Sequence, residues 1–164
     1  MSVFKWADSA RRRFFALVDS DELRLFQVIV YLGMALSGFY MLYFGAPTTV
    51  NDKLGPLMNA VWVALTMIGP LLVGVGVWMV ARGERLVLSE DRCGGGGYIY
   101  RGWYAQAGGD MAIMMVCLTY VIAAFSSAWL VRGIFAAFIV SSLAVCASVL
   151  VLRDVRRIRA IERL

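Results

Sequence analysis

The chain has no histidine, only two lysines, and little charge of either sign: 16% of its 164 residues are Asp, Glu, Lys or Arg. Soluble domains carry about 25% charged residues and roughly 45–50% apolar ones, whereas this sequence is 61% hydrophobic with a mean hydropathy of +0.74. So little polar surface could not cover a domain of this size in water. The three cysteines, Cys93, Cys117 and Cys146, have no C-x-x-C spacing, and two of them fall inside apolar runs. That argues against a zinc site or a disulfide framework. Without histidine or paired thiols, metal and dithiol redox chemistry have few candidate residues, and no cofactor is implied.

What is present is four long apolar stretches: Leu25 to Phe44, Leu57 to Val80, Met111 to Leu130, and Gly133 to Leu152. Each has the roughly 20 residues needed to cross about 30 Å of hydrocarbon as a helix, and none contains Asp, Glu, Lys or Arg. The sequence therefore predicts an all-α integral membrane protein, a bundle of four transmembrane helices. No small-residue cleavage site follows the first run, so a removable signal peptide is not expected.

Basic residues set the expected orientation. Of the 16 Lys and Arg residues, only Lys53 and Arg132 fall on one side. The rest lie in the N-terminal segment (Lys5, Arg11, Arg12, Arg13, Arg24), between the second and third spans (Arg82, Arg85, Arg92, Arg101), and in the tail (Arg153, Arg156, Arg157, Arg159, Arg163). Both termini and the 81–109 segment are thus expected in the cytoplasm of a bacterium, with the chain in its inner membrane. The net charge of +5 flanks apolar runs rather than clustering on a folded face, so nucleic acid is not an expected partner.

Three segments lie outside the spans. Residues 1–22 carry an amphipathic pattern. From Val3 to Val18, the residues Trp6, Leu17, Ala10, Phe14 and Val18 share one helical face, while Lys5, Arg12 and Arg13 lie off it and Arg11 must snorkel. Such a helix can lie on anionic lipid or pack on the long loop. Asp19 and Glu22 have capping-box spacing ahead of the first span. The 81–109 segment is expected to be a cytoplasmic loop. Residues 85–89 and 98–101 alternate as a short β-hairpin would, with Gly94 to Gly97 as a flexible connector that lacks the Lys-Ser or Lys-Thr of a phosphate loop. Tyr98, Tyr100, Trp103 and Tyr104 could dock a cytoplasmic protein or rest at the interface. The 153–164 tail is expected to extend the fourth helix as a solvated basic end, with Arg153, Arg156 and Arg157 at the membrane surface and Asp154 within reach of Arg157.

No ionisable residue is expected inside the bilayer, where one would be a functional-site hypothesis by default. Asp110 is ambiguous: it is a helix N-cap if the third helix starts there. If the helix starts earlier it is an interior acid needing a partner such as Arg101. Gly108-Gly109, a poor helix interior, favours the cap. Without a buried acid there is no proton relay and no general base, so neither a coupled transporter nor an enzyme is indicated.

Two packing signals stand out. Gly133, Ala137, Ser141, Ala144 and Ser148 form a small-residue seam on the fourth span, with a shorter one, Gly33 and Ser37, on the first. Gly69-Pro70 falls mid-span in the second and is expected to kink it. The seams can serve packing within one chain or self-assembly into a homo-oligomer. The short motifs Leu54-Gly55-Pro56, Ile68-Gly69-Pro70-Leu71, Gly108-Gly109-Asp110 and Arg153-Asp154-Val155-Arg156-Arg157 resemble those of small four-span membrane proteins of actinobacteria and their phages. That resemblance implies no catalytic residues. It implies a lysis-cassette holin, or a superinfection-exclusion protein that depolarises the cell through a cytoplasmic partner at 81–109. A small transporter or membrane-complex subunit is the third reading.

Overall fold

The structure is a computed structural model that describes residues 21–45, 48–88, 92–126 and 130–161. It is all-helical over those residues: α1 (Asp21–Phe44), α2 (Thr48–Leu88), α3 (Arg92–Phe125) and α4 (Leu130–Ile161). Each contains a stretch long and apolar enough to cross a membrane, namely Gln27–Phe44, Leu54–Leu88, Gly95–Phe125 and Ala136–Ala160. The amphipathic segment Val3 to Val18, with Lys5, Arg11, Arg12 and Arg13, lies outside the described residues, as does Asp19.

Among the described residues, the 81–109 segment is helical rather than the expected loop with a hairpin. α2 runs on to Leu88 and α3 has already begun at Arg92. The reason is a seven-residue repeat on both helices. On α2, Gly69, Gly76 and Gly83 alternate with Val73, Val80 and Val87. On α3, Gly95, Gly102 and Gly109 alternate with Ile99, Gln106 and Ile113. The two sets meet antiparallel. A Cβ placed on Gly76 would lie 2.6 Å from the Gly102 carbonyl oxygen, one on Gly95 2.8 Å from that of Gly83, and one on Gly109 2.6 Å from that of Gly69. A glycine costs a helix about 1 kcal/mol relative to alanine. Here each glycine lets two backbones approach until Val, Ile or, at Gly76, Gln106 of the opposite helix fills the gap. Close approach is the chief source of helix association where lipid is as apolar as the side chains. The strict seven-residue period is that of a left-handed pair.

α2 and α3 thus form the spine. Trp62 ties it further, its buried indole N–H donating to the Val116 carbonyl at 3.0 Å. Near that level Met41 of α1 joins Trp62, Val63 and Val116 in one apolar cluster. α4 packs on α3 through Ala144 and Ala147 against Ile113 and Cys117. α1 has the lightest contact with the spine.

α2 contains Pro70 within its helical run. Its one non-helical residue is Gly55 (φ 69°, ψ 168°), ahead of Pro56. The proline ring restricts the residue before it to extended backbone, and glycine adopts the positive φ. At Pro70 the helix continues, and Gly69 instead serves the seam, a Cβ there falling 2.8 Å from Ile113 Cγ1. Gly45 (φ 85°) ends α1, its N–H donating to the Met41 carbonyl at 2.9 Å, an αL cap. α3 ends at Phe125 and α4 has begun at Leu130, so Val131 and Arg132, which the sequence leaves between the third and fourth spans, are helical. Ser126 is already a turn residue, its hydroxyl donating to the Ala123 carbonyl at 3.0 Å.

Candidate functional site

The helix directions bring the start of α1, the end of α2, the start of α3 and the end of α4 to one end of the molecule, here termed the basic end. Inside it three helices each offer polar groups at i, i+4 spacing, which places them on one face: Gln27 and Tyr31, Gln106 and Asp110, Arg153 and Arg157. Asp110 is fully buried. It is not an N-cap, because α3 begins at Arg92. Its partner is not Arg101 but Tyr31, whose hydroxyl donates to Asp110 Oδ1 at 2.5 Å, with Gln27 Nε2 at 3.4 Å from the same oxygen. The Gly-Gly pair that argued for a cap is tolerated because Gly109 lies in the seam.

The start of the tail is likewise buried rather than solvated. Asp154 is 0% exposed and Arg153 5%. Arg153 Nε donates to Asp154 Oδ1 at 2.8 Å, and Arg157 Nη1 lies 3.9 Å from the same oxygen. Arg156 remains exposed, as expected of a surface cation. Arg153 and Asp154 are near enough to Asp110 to act on it electrostatically, so the two groups form one cluster. Its depth follows from α1: Tyr31 is about 6 Å along the helix, at 1.5 Å per residue, from Gln27, where the apolar stretch starts. One oxygen of each carboxylate, Asp110 Oδ2 and Asp154 Oδ2, is buried without a hydrogen-bond partner. Buried polar groups left so are costly and mark places where function or a bound species enters.

A cavity of about 430 Å³ adjoins the cluster between α1 and α2. Tyr31, Gln27, Gln106, Arg153 and Arg157 line its polar part, and Val28, Leu32, Leu71 and Val77 its apolar walls. Trp103 faces this cavity. Tyr98 and Trp78 instead flank Arg82, at 6.0 and 5.7 Å from ring centroid to guanidinium carbon, a cation–π arrangement. Tyr100 and Tyr104 meet edge to face, ring centroids 4.8 Å apart. The aromatic residues of 98–104 therefore divide between three environments. Among the described residues no group of three or more His, Cys, Asp and Glu could hold a metal ion.

The packing residues are placed unevenly. On α4, Ala137 and Ala144 are buried, while Ser141 and Ser148 are half-buried and donate to the carbonyls of Ala137 and Ala144 at 2.7 and 2.8 Å. Gly133 is helical, but its surroundings lie outside the described residues. On α1, Gly33 and Ser37 are exposed and a Cβ on Gly33 would meet nothing within 4 Å. Gly38 makes the close approach instead, a Cβ there lying 2.6 Å from Met67 Cγ. Of the two readings of Asp110, the N-cap is the one that fails: the residue is a buried acid inside α3, within the stretch apolar enough to cross a membrane. The signals that could have revealed the cluster were the paired i, i+4 spacings of Gln27–Tyr31 and Gln106–Asp110. Compared with known proteins, the chain matches no family model, no curated protein and no solved structure.

Proposed function

We propose that this chain is a non-enzymatic, self-associating protein of a bacterial inner membrane, holin-like in that its assemblies permeabilise the bilayer. The observation that carries this reading is the charged cluster of Asp110, Arg153 and Asp154 buried among α1, α3 and α4, closed on one side by the helix with the lightest packing. An acid or arginine at the centre of a transmembrane helix costs about 2.5–3.5 kcal/mol on insertion scales. Held behind α1 the cluster is hidden; with α1 displaced it becomes a polar lining. Arrays of such chains would then conduct with little selectivity, because acids and arginines face the same lumen.

The topology belongs to the same proposal. The positive-inside distribution supports cytoplasmic termini and a cytoplasmic α2–α3 turn, with residues 1–22 on the lipid surface. Asn51→Cys and Arg132→Cys should react with an impermeant maleimide on intact cells, whereas Cys93 should not; reaction at Cys93 would reverse the topology.

Induced expression alone should collapse the membrane potential abruptly, read with a potential-sensitive dye, and Asp110→Asn should shift the time of collapse. High expression with unchanged potential and growth would refute the reading. A partner-triggered variant of the activity, as in phage exclusion or defence, is supported by the length of the spine. Its apolar stretches of 35 and 31 residues exceed the roughly 20 that cross a bilayer, so the α2–α3 end reaches into the cytoplasm, where a protein could engage it. In that case collapse requires the partner. A small transporter or complex subunit is supported by the buried Asp110 beside a cavity; substrate-dependent uptake without depolarisation would select it.

A further inference from the structure

We propose that the cavity between α1 and α2 binds one uncharged, hydroxylated lipid of the acylglycerol class, its head against Gln106 and Trp103 and its chain between the two helices. The proposal rests on the membrane reading above, because such a ligand enters from a lipid leaflet, but not on permeabilisation.

Hydrogen-bonding groups with nothing to bond carry it. Gln106 is 6% exposed and lines the cavity, yet among the described residues its amide has no hydrogen-bond partner. The unpartnered oxygens of Asp110 and Asp154 are sealed within the protein, whereas Gln106 belongs to the cavity wall. Trp103 stands three residues earlier on the same face of α3. It is half-buried, and its indole N–H is likewise without a partner among the described residues. An amide offers both donors and an acceptor, and an indole offers one donor. Buried groups of this kind are satisfied as a rule, so the wall is complete only with a guest that both donates and accepts. A hydroxyl does both, and an ester carbonyl accepts from the indole N–H.

The shape suits a single chain. Along α2 the lining runs from Glu84 inward to Pro70, about 21 Å at 1.5 Å per residue, so the space is long and narrow. Its volume, about 430 Å³, lies within the roughly 300–1,000 Å³ of small-molecule sites. Inward of Gln106 the wall is apolar, with Leu32 and Ala35 on α1 and Pro70, Leu71 and Gly74 on α2. A Cβ on Gly74 would meet nothing within 4 Å, so the slot beside it stays open.

The charge balance selects an uncharged head. Three carboxylates, Asp110, Asp154 and Glu84, stand beside two guanidiniums, Arg153 and Arg157, so no positive charge is in excess for an anion. Both guanidiniums approach Asp154 Oδ1, at 2.8 and 3.9 Å, and Arg157 has a further interaction. A cation fares no better, because Arg153 and Arg157 line the cavity while Asp110 and Asp154 do not. Either ion would also lose hydration on entry, a penalty that an uncharged head is largely spared.

The test uses the full chain, purified in detergent, stripped of lipid and examined by native mass spectrometry. Four probes share one hydrocarbon chain: monooleoylglycerol, methyl oleate, oleate and oleylammonium. One monooleoylglycerol per chain should be retained, at least fivefold more tightly than each of the others. Gln106→Met, which keeps the length of the side chain and removes its amide, should erase the preference over methyl oleate. Gly74→Leu, which fills the slot without a clash, should weaken both uncharged probes at least fivefold with the thermal midpoint unchanged. Gly33→Leu, outside the cavity, should leave retention intact. Equal retention of methyl oleate by the wild-type chain would make this an apolar groove with no head site, and tighter retention of oleate or oleylammonium a site for a charged head; either overturns the proposal. So does wild-type behaviour in the Gln106→Met or the Gly74→Leu variant. Depolarisation is scored separately: its absence with retention intact refutes only permeabilisation, and its presence without retention refutes only the lipid site.

Discussion

The α2–α3 seam and the α1/α3/α4 cluster are neighbours, Gly109 of one adjoining Asp110 of the other, yet solve opposite problems. The seam is built from backbone: glycines every seven residues bring two helices together until carbonyl oxygens lie where a Cβ would be. Nothing in it can swing aside. The cluster is built from the tips of side chains, with two unpartnered carboxylate oxygens and a cavity alongside. A packed backbone contact has one arrangement, whereas hydrogen-bonded side chains around a void have several. The spine is therefore the fixed part of this protein, and α1 with its polar contacts the part able to move.

The comparison breaks most directly at the seam. Gly76→Leu or Gly102→Leu should cost more than the about 1–3 kcal/mol of ordinary overpacking, because the obstacle is backbone rather than a flexible side chain. The expected outcome is loss of the monodisperse species in detergent; normal yield and thermal midpoint would mean that the helices are not in contact there. At the cluster, Asp110→Ala should cost less, with Tyr31→Phe below it at about 0.6 and at most about 1.7 kcal/mol, the range for intramembrane hydrogen bonds. Thermal unfolding of both variants checks the order, and a Tyr31→Phe effect exceeding that of Gly76→Leu would invert the division into fixed and movable parts.

Trp62→Phe removes the one indole bond across the upper spine and should cost about 0.5–1.5 kcal/mol, the net worth of a typical hydrogen bond. The smallest effect is expected at Gly33→Leu, within about 0.5 kcal/mol, as for surface changes that touch nothing. It sharpens the comparison in another way. If α1 presents Gly33 and Ser37 to a second copy, this variant should reduce oligomer size by cross-linking while leaving the thermal midpoint of the monomer in place.

Four apolar helices could be read from the chain because a bilayer demands long uninterrupted runs, and composition alone reports those. The extent of α2 and α3 could not be read locally. Gly94 to Gly97 and Gly108-Gly109 carry poor intrinsic helix propensity, and the offsetting contact comes from the opposing helix, which packs on Gly95 and Gly109. Gly69, read beside Pro70 as part of a kink, is a contact residue held against Ile113. The acid of Gly108-Gly109-Asp110 looked like a cap for the same reason, since its partners, Tyr31 and Gln27, are some eighty residues away. Sequence by itself determined that the chain is helical and apolar enough to enter a membrane. Tertiary structure decided where the helices end, which glycines serve contact, and that charge lies buried at one end. Those outcomes depend on distances between helices, which no window along a single strand of sequence contains.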